Sequence, residues 1–164
     1  FSLLYERYVN RIYNYIYYRT GNANDAEDLT ARVFHRALGH IQRYNNKGVP
    51  FSAWLYRIAH NLVANWHRDN SRKQEVALED NAIQLVHRGD PPELALVNTQ
   101  ETENLLRAIR TLSPERQQLV ILKFVQRLSN AEIAVIMGRS EGAIKSLYHR
   151  TLLALREEIE KTIR

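Results

Sequence analysis

The chain contains no cysteine, so no disulfide staples it and no thiolate can ligate a metal. No apolar run approaches the roughly 20 residues needed to span a bilayer, and no signal peptide is visible, so a cytoplasmic protein without membrane insertion is expected. Strand signals are almost missing. The chain also lacks a Gly-rich phosphate loop, a paired-carboxylate site and an activated nucleophile, which leaves an enzyme reading without support. Its six histidines stand at 35, 40, 60, 67, 87 and 149. None makes an i, i+4 pair on an expected helix, so no metal site and no cofactor are expected.

What is present is helical pattern and positive charge. Apolar residues make up 45% of the 164 and charged residues 25%, as in a soluble globular protein. The formal charge is +5, compatible with a polyanionic partner but not diagnostic of one. That charge is unevenly spread. Residues 1–73 carry 11 Lys/Arg against 5 Asp/Glu, residues 74–90 carry 1 against 4, and residues 91–164 carry 11 against 9. Two basic modules, 1–73 and 91–164, joined by an acidic linker at 74–90 fit this distribution better than one compact enzyme.

Apolar residues recur at helical spacing almost throughout. Leu4, Tyr8, Ile12, Tyr15 and Ile16 form one stripe; because the pattern is already running at Phe1, further residues upstream are expected. Leu29, Val33, Ala37 and Ile41 form a second stripe behind Gly21, with Asp25 placed to cap the helix start. The polar loop Arg43–Pro50 precedes a third helix carrying Phe51, Leu55, Ile58, Leu62 and Trp66. The acidic segment then runs into Pro91-Pro92 and a helix from about Glu93 to Thr111. Ser113-Pro114 opens another helix, Ser129-Asn130-Ala131-Glu132 reads as a capping box, Gly138 as a helix stop and Ser140 as the cap of a last helix. The expected fold is all-α, with two small helical domains.

The sharpest local signal is the stretch Leu128–Leu147. A helix-turn-helix needs a small residue where its helices cross and backbone freedom at the turn; Ala134 and Gly138 supply them. The second helix would bury Ile144 and Leu147 and present Lys145, Ser146, His149 and Arg150 near its start. Those are the turns that enter a major groove, and their side chains suit phosphates and base edges. A plain helical hairpin with a solvated basic face is the alternative.

In the N-terminal half, aromatic and basic residues interleave: Phe51, Trp54, Tyr56, Arg57, Trp66, His67, Arg68, Arg72 and Lys73. One helix face cannot bury all these aromatics, so some aromatic surface is expected to stay exposed for stacking on single-stranded bases. The alternative is aromatics in the core and arginines in solvent. The cluster Asp25, Glu27 and Asp28 stabilises a helix start or meets a basic partner.

Taken in order, these segments resemble the extracytoplasmic-function sigma factors. Asp25-Ala26-Glu27-Asp28-Leu29-Thr30 with Val33-Phe34 resembles the second-region motif that docks on the polymerase clamp. Phe51-Ser52-Ala53-Trp54-Leu55-Tyr56-Arg57-Ile58-Ala59-His60-Asn61 resembles the segment after the loop that captures flipped −10 bases. Leu112-Ser113-Pro114-Glu115-Arg116, with the helix-turn-helix behind it, resembles the fourth region, which reads the −35 element.

The resemblance implies that Asp25, Asp28, Leu29, Arg32 and Phe34 contact core RNA polymerase. It implies that Tyr44, Asn45, Asn46, Lys47, Trp54, Arg57, Asn61, Asn65 and Arg68 meet the −10 DNA. Arg139, Ser140, Lys145, Ser146, His149 and Arg150 would meet the −35 duplex, and an anti-sigma protein is an expected further partner. Ala31-Arg32 stands where the motif usually has glutamine and a polar or acidic residue, and Leu147 where a base is common. The competing reading is a stand-alone helix-turn-helix regulator whose N-terminal half senses a ligand or dimerises.

Overall fold

Each helix begins and ends where local chemistry directs it. In the computed structural model, residues 2–42, 50–79 and 100–163 are described. Helix α1 (Ser2–Thr20) ends at Gly21, whose φ of +70° is the left-handed conformation glycine adopts without strain. Asn22 follows as the N-cap of α2 (Ala23–His40), its side-chain oxygen accepting from the Asp25 amide at 3.0 Å. The cap expected at Asp25 therefore lies three residues earlier. The chain turns at Gly21, so the first extended residue after it is the one that can cap. This leaves the Asp25 carboxylate free for another partner.

Helix α3 runs from Phe51 to Glu79. It continues six residues into the segment assigned to the linker, because Gln74–Glu79 combines good helix formers with no glycine or proline to stop them. The rest of that segment, and the first part of the helix expected from Glu93, lie outside the described residues. Helix α4 (Gln100–Thr111) leads to Ser113, which caps α5 (Pro114–Val120) with proline at its first turn, as expected. A π-helical turn, Ile121–Val125, then extends α5.

The helix-turn-helix has its expected local form. Ser129 and Glu132 make the reciprocal capping box of α6 (Asn130–Met137), and Gly138 at φ +67° ends it. Ser140 accepts from the Ala143 amide at 3.1 Å at the start of α7 (Glu141–Ile163). Nothing lies within 4 Å of a Cβ built on Gly138, so only backbone strain opposes a side chain there. Gly138→Ala is expected to cost about 1–2 kcal/mol in thermal or urea unfolding, and Gly138→Asn less.

Helices α1, α2 and α3 pack on one another, as do α4, α5 and α6 against α7. Ile12, Tyr15, Ile16, Val33, Leu55 and Val63 fill the first bundle; Leu119, Ile121, Leu122, Ile133 and Ile144 fill the second. The two bundles also touch. Helix α3 packs on α6 and α1 on the π-helical turn, and the buried residues form one continuous cluster.

This contact reduces the exposed aromatic surface expected on α3 without removing it. The helix is covered by α1, α2 and α6, so it buries more than one face. Tyr56 is 1% exposed, while Phe51, Trp54 and Trp66 are half-buried against the core. Trp54 meets the Phe51 ring edge-on at 5.6 Å.

Candidate functional site

The expected functional residues fall on three surfaces. The first is the outer face of α7. Ile144 and Leu147 are buried, at 0% and 4% exposure, which rotates Lys145, Ser146, His149 and Arg150 outward together. These four polar side chains, two of them Lys and Arg, thus share one ridge on the first three turns of the helix. Glu141, also exposed, stands one turn before Lys145 at the start of the helix. Arg150 folds back to its own helix, Nε donating to the Ser146 carbonyl at 3.4 Å. Leu147 cannot be a DNA contact, because it holds α7 to the bundle beneath. Arg139 and Ser140, also expected here, are exposed, but Ser140 serves as a cap and Arg139 pairs with Glu115.

The second surface is a cleft of about 430 Å³ lined by Asp25, Asp28, Leu29, Arg32, Arg36, Leu62, Asn65, Trp66, Asp69 and Asn70. It joins two groups the sequence read separately: the acidic motif of α2 and the Asn65 face of α3. Trp66 links them, its indole Nε1–H donating to Asp25 Oδ2 at 3.1 Å. Asp28 and Arg32 are exposed and Asp25 half-exposed. Leu29 and Phe34 are each 4% exposed. Leu29 lines the floor of the cleft, whereas Phe34 packs edge-on against Tyr5 of α1 at 4.9 Å; the solvent-reaching side chains of this face are Asp25, Asp28 and Arg32. Asn65 and Arg68 are exposed and hydrogen-bonded to each other at the cleft's edge.

The third surface is a crevice of about 780 Å³ between α3 and the α5–α6 region, lined by residues including Arg57, His60, Asn61, Glu115 and Arg139. Arg57 and Asn61, expected at the −10 DNA, face the other bundle here. Trp54 is half-buried on Phe51. Tyr44, Asn45, Asn46 and Lys47 lie outside the described residues.

Beneath this crevice lies a group no sequence pattern pointed to. Arg19 is 2% exposed, and its Nη1 donates to Tyr15 Oη and to His60 Nδ1, each at 3.0 Å. Accepting at Nδ1 leaves the neutral His60 proton on Nε2. Burial, with Arg19's charge second, pulls the His60 pKa down to about 4. His67 is lowered for the same two leading reasons. Burial also pushes the Tyr15 hydroxyl up. An arginine at the end of a tyrosine-rich helix reads as a solvated C-terminal charge, which is why it escaped notice.

A histidine depressed in the folded state binds its proton more readily when unfolded. Stability should therefore fall as pH drops from about 6.5 through about 4, and be complete above that window. His60→Gln is expected to remove part of this loss, about 1–2 kcal/mol once solvent access to the ring is discounted. Thermal melts of both proteins at pH 7 and pH 4.5 give that difference; an equal loss in both would exclude His60 as a source.

Two family models match the chain: sigma-70 region 2 over residues 4–73 and sigma-70 region 4 over residues 102–155. The chain is 40% identical over 159 residues to the ECF RNA polymerase sigma factor BldN of Streptomyces coelicolor, covering 94% of this chain but 58% of that protein's length. It is 32% identical to the RNA polymerase sigma factor YlaC of Bacillus subtilis, covering 97% of this chain and 91% of YlaC. It is 31% identical to the ECF sigma factor SigW of the same organism, covering 97% and 88%. Its fold is shared by the sigma factor RpoE solved with the anti-sigma factor NepR from Bartonella quintana. That match has a TM-score of 0.73 and 20% identity, covering 98% of this chain and 96% of RpoE.

Proposed function

Because this chain belongs to the extracytoplasmic-function RNA polymerase sigma factors, we propose that it binds bacterial core RNA polymerase and directs initiation at specific promoters. Residues 1–73 act as the polymerase-docking and −10 module and residues 91–164 as the −35 module, with the acidic segment 74–90 between them. It works in the cytoplasm and carries no catalytic chemistry or cofactor.

The observation that carries the reading is the ridge on α7. Lys145, Ser146, His149 and Arg150 are outward together because Ile144 and Leu147 are buried, the disposition a major-groove helix requires. The cleft supports the other half of the function. Asp25, Asp28 and Arg32 form a charged face for the clamp, adjoining Asn65 and Arg68, which follow the −10 strand. Tyr44, Asn45, Asn46 and Lys47 surround the extruded base, and Arg57 and the exposed Asn61 reach the same strand. An anti-sigma protein is a further partner, as its structural relative RpoE was solved with one.

The test is co-migration of the purified chain with core polymerase on a sizing column, followed by run-off transcription from promoter fragments. A stable complex and a discrete transcript are expected. Tight, salt-dependent duplex binding by the chain alone, with no polymerase complex, would replace this reading with a stand-alone regulator.

A further inference from the structure

The Asp25 carboxylate stands between two possible partners. It lies in the first turn of α2, whose opening amides lack acceptors within the helix and attract negative charge. A short acidic side chain in that position readily folds back onto its own backbone. Asp25 does not. Asn22 already supplies the cap by accepting from the Asp25 amide at 3.0 Å, and the Trp66 indole Nε1–H donates to Asp25 Oδ2 at 3.1 Å from the facing helix α3. The carboxylate is thereby held at the cleft it lines with Asp28 and Arg32.

The kind of donor matters. An indole N–H is neutral, so it fixes a carboxylate without cancelling its charge, as a lysine or arginine would. Arg32 and Arg36 line the same cleft, yet among the described residues no cation pairs with Asp25. The bond uses Oδ2, and no described residue donates to Oδ1. That oxygen keeps its lone pairs for a partner.

Trp66 is itself well held. It is half-buried in the cleft wall with Leu29 and Leu62, and its ring meets His67 edge-on, the centroids 4.9 Å apart. With only two side-chain torsions, an indole is ordered at low entropic cost. It also directly follows Asn65 and stands two positions before Arg68, so the bond ties the acid of α2 to the part of α3 assigned to the −10 strand.

We propose that Trp66 is a positioning residue for polymerase docking. Its neutral indole holds the Asp25 carboxylate outward, charge uncancelled, for a basic group on the polymerase, and fixes it relative to Asn65 and Arg68. The partner's identity rests on the sigma-factor reading; the bond does not.

The bond is tested first, in the full chain labelled with nitrogen-15. The two tryptophans give two indole N–H signals, and Trp66→Phe identifies which belongs to position 66. Solvent exchange at that signal should speed up about fivefold or more in Asp25→Ala, while the Trp54 signal holds.

Affinity for core polymerase then tests the role. Trp66→Phe keeps a ring but no donor and should weaken the complex about fivefold; Asp25→Ala should weaken it at least about tenfold. The double variant should lose no more than Asp25→Ala alone, because Trp66 acts only through that carboxylate. A tryptophan that merely supports the bundle would cost a further fivefold in the Asp25→Ala background. Benzothienylalanine at position 66 exchanges the N–H for sulfur at nearly the same shape. It should reproduce the Trp66→Phe loss with a melting temperature near native.

Indole exchange indifferent to Asp25→Ala overturns the bond. Multiplicative losses in the double variant, or native affinity with benzothienylalanine, overturn the positioning role while leaving docking at Asp25 in place. A native chain with a protected indole and no affinity for polymerase defeats the sigma-factor reading, and the docking role with it.

Discussion

Asp28→Arg should abolish co-migration with core polymerase, weakening the complex by at least about 100-fold. Asp28 is exposed on α2 and lines the cleft with Arg32 and Arg36. Reversal replaces the acid at this face with a third cation. It removes one attraction and sets like charge against whatever basic group the acid met, a juxtaposition that costs several kcal/mol. The fold should be spared, because Leu29, Val33 and Phe34 keep α2 in the core and the local loss is a few tenths of a kcal/mol. Asp28→Asn should fall between the two. A melting temperature near native alongside a lost complex locates the effect at the interface. Undiminished binding by Asp28→Arg would place the clamp contact away from this cleft.

Lys145→Ala with Arg150→Ala should remove initiation that depends on the −35 element while leaving polymerase binding intact. A good base-edge contact is worth about 1–3 kcal/mol, so the pair should lower −35-dependent run-off by roughly 10²–10⁴-fold. Both side chains are exposed, so stability should change by less than about 0.5 kcal/mol. Salt dependence divides their roles. A residue neutralising a phosphate lowers the slope of log K against log salt by about 1 for every sequence tested, whereas one reading a base relaxes discrimination at one position. If the double variant transcribes normally, the outward ridge on α7 is not the −35 reader.

Much of this was legible before any coordinates. Ser129, Glu132, Gly138 and Ser140 act within a few residues of themselves, through caps and turn conformations that depend on local chemistry. The burial of Ile144 and Leu147, and hence the outward ridge beside them, follows from a period of 3.6 residues. Asp25 shows where local reasoning slips. Its residue type suits a cap, but the turn at Gly21 gave that role to Asn22 and released the carboxylate for Trp66.

What could not be read from the chain is whatever depends on how its helices meet. Arg19, Tyr15 and His60 are separated by 4 and 41 positions, and their hydrogen-bonded group exists only because α1 lies on α3. The aromatics of α3 looked too many for one face; α1, α2 and α6 gave them more than one. Arg57 and Asn61, expected at the −10 DNA, also line a crevice with residues 52 or more positions downstream, a meeting no local pattern announces. Periodicity, caps and charge order determined the helices, the two modules and the family they resemble, because each is set by interactions along the chain. The cleft and the crevice were decided only by tertiary packing, because their partners are remote in sequence and no local preference brings them together.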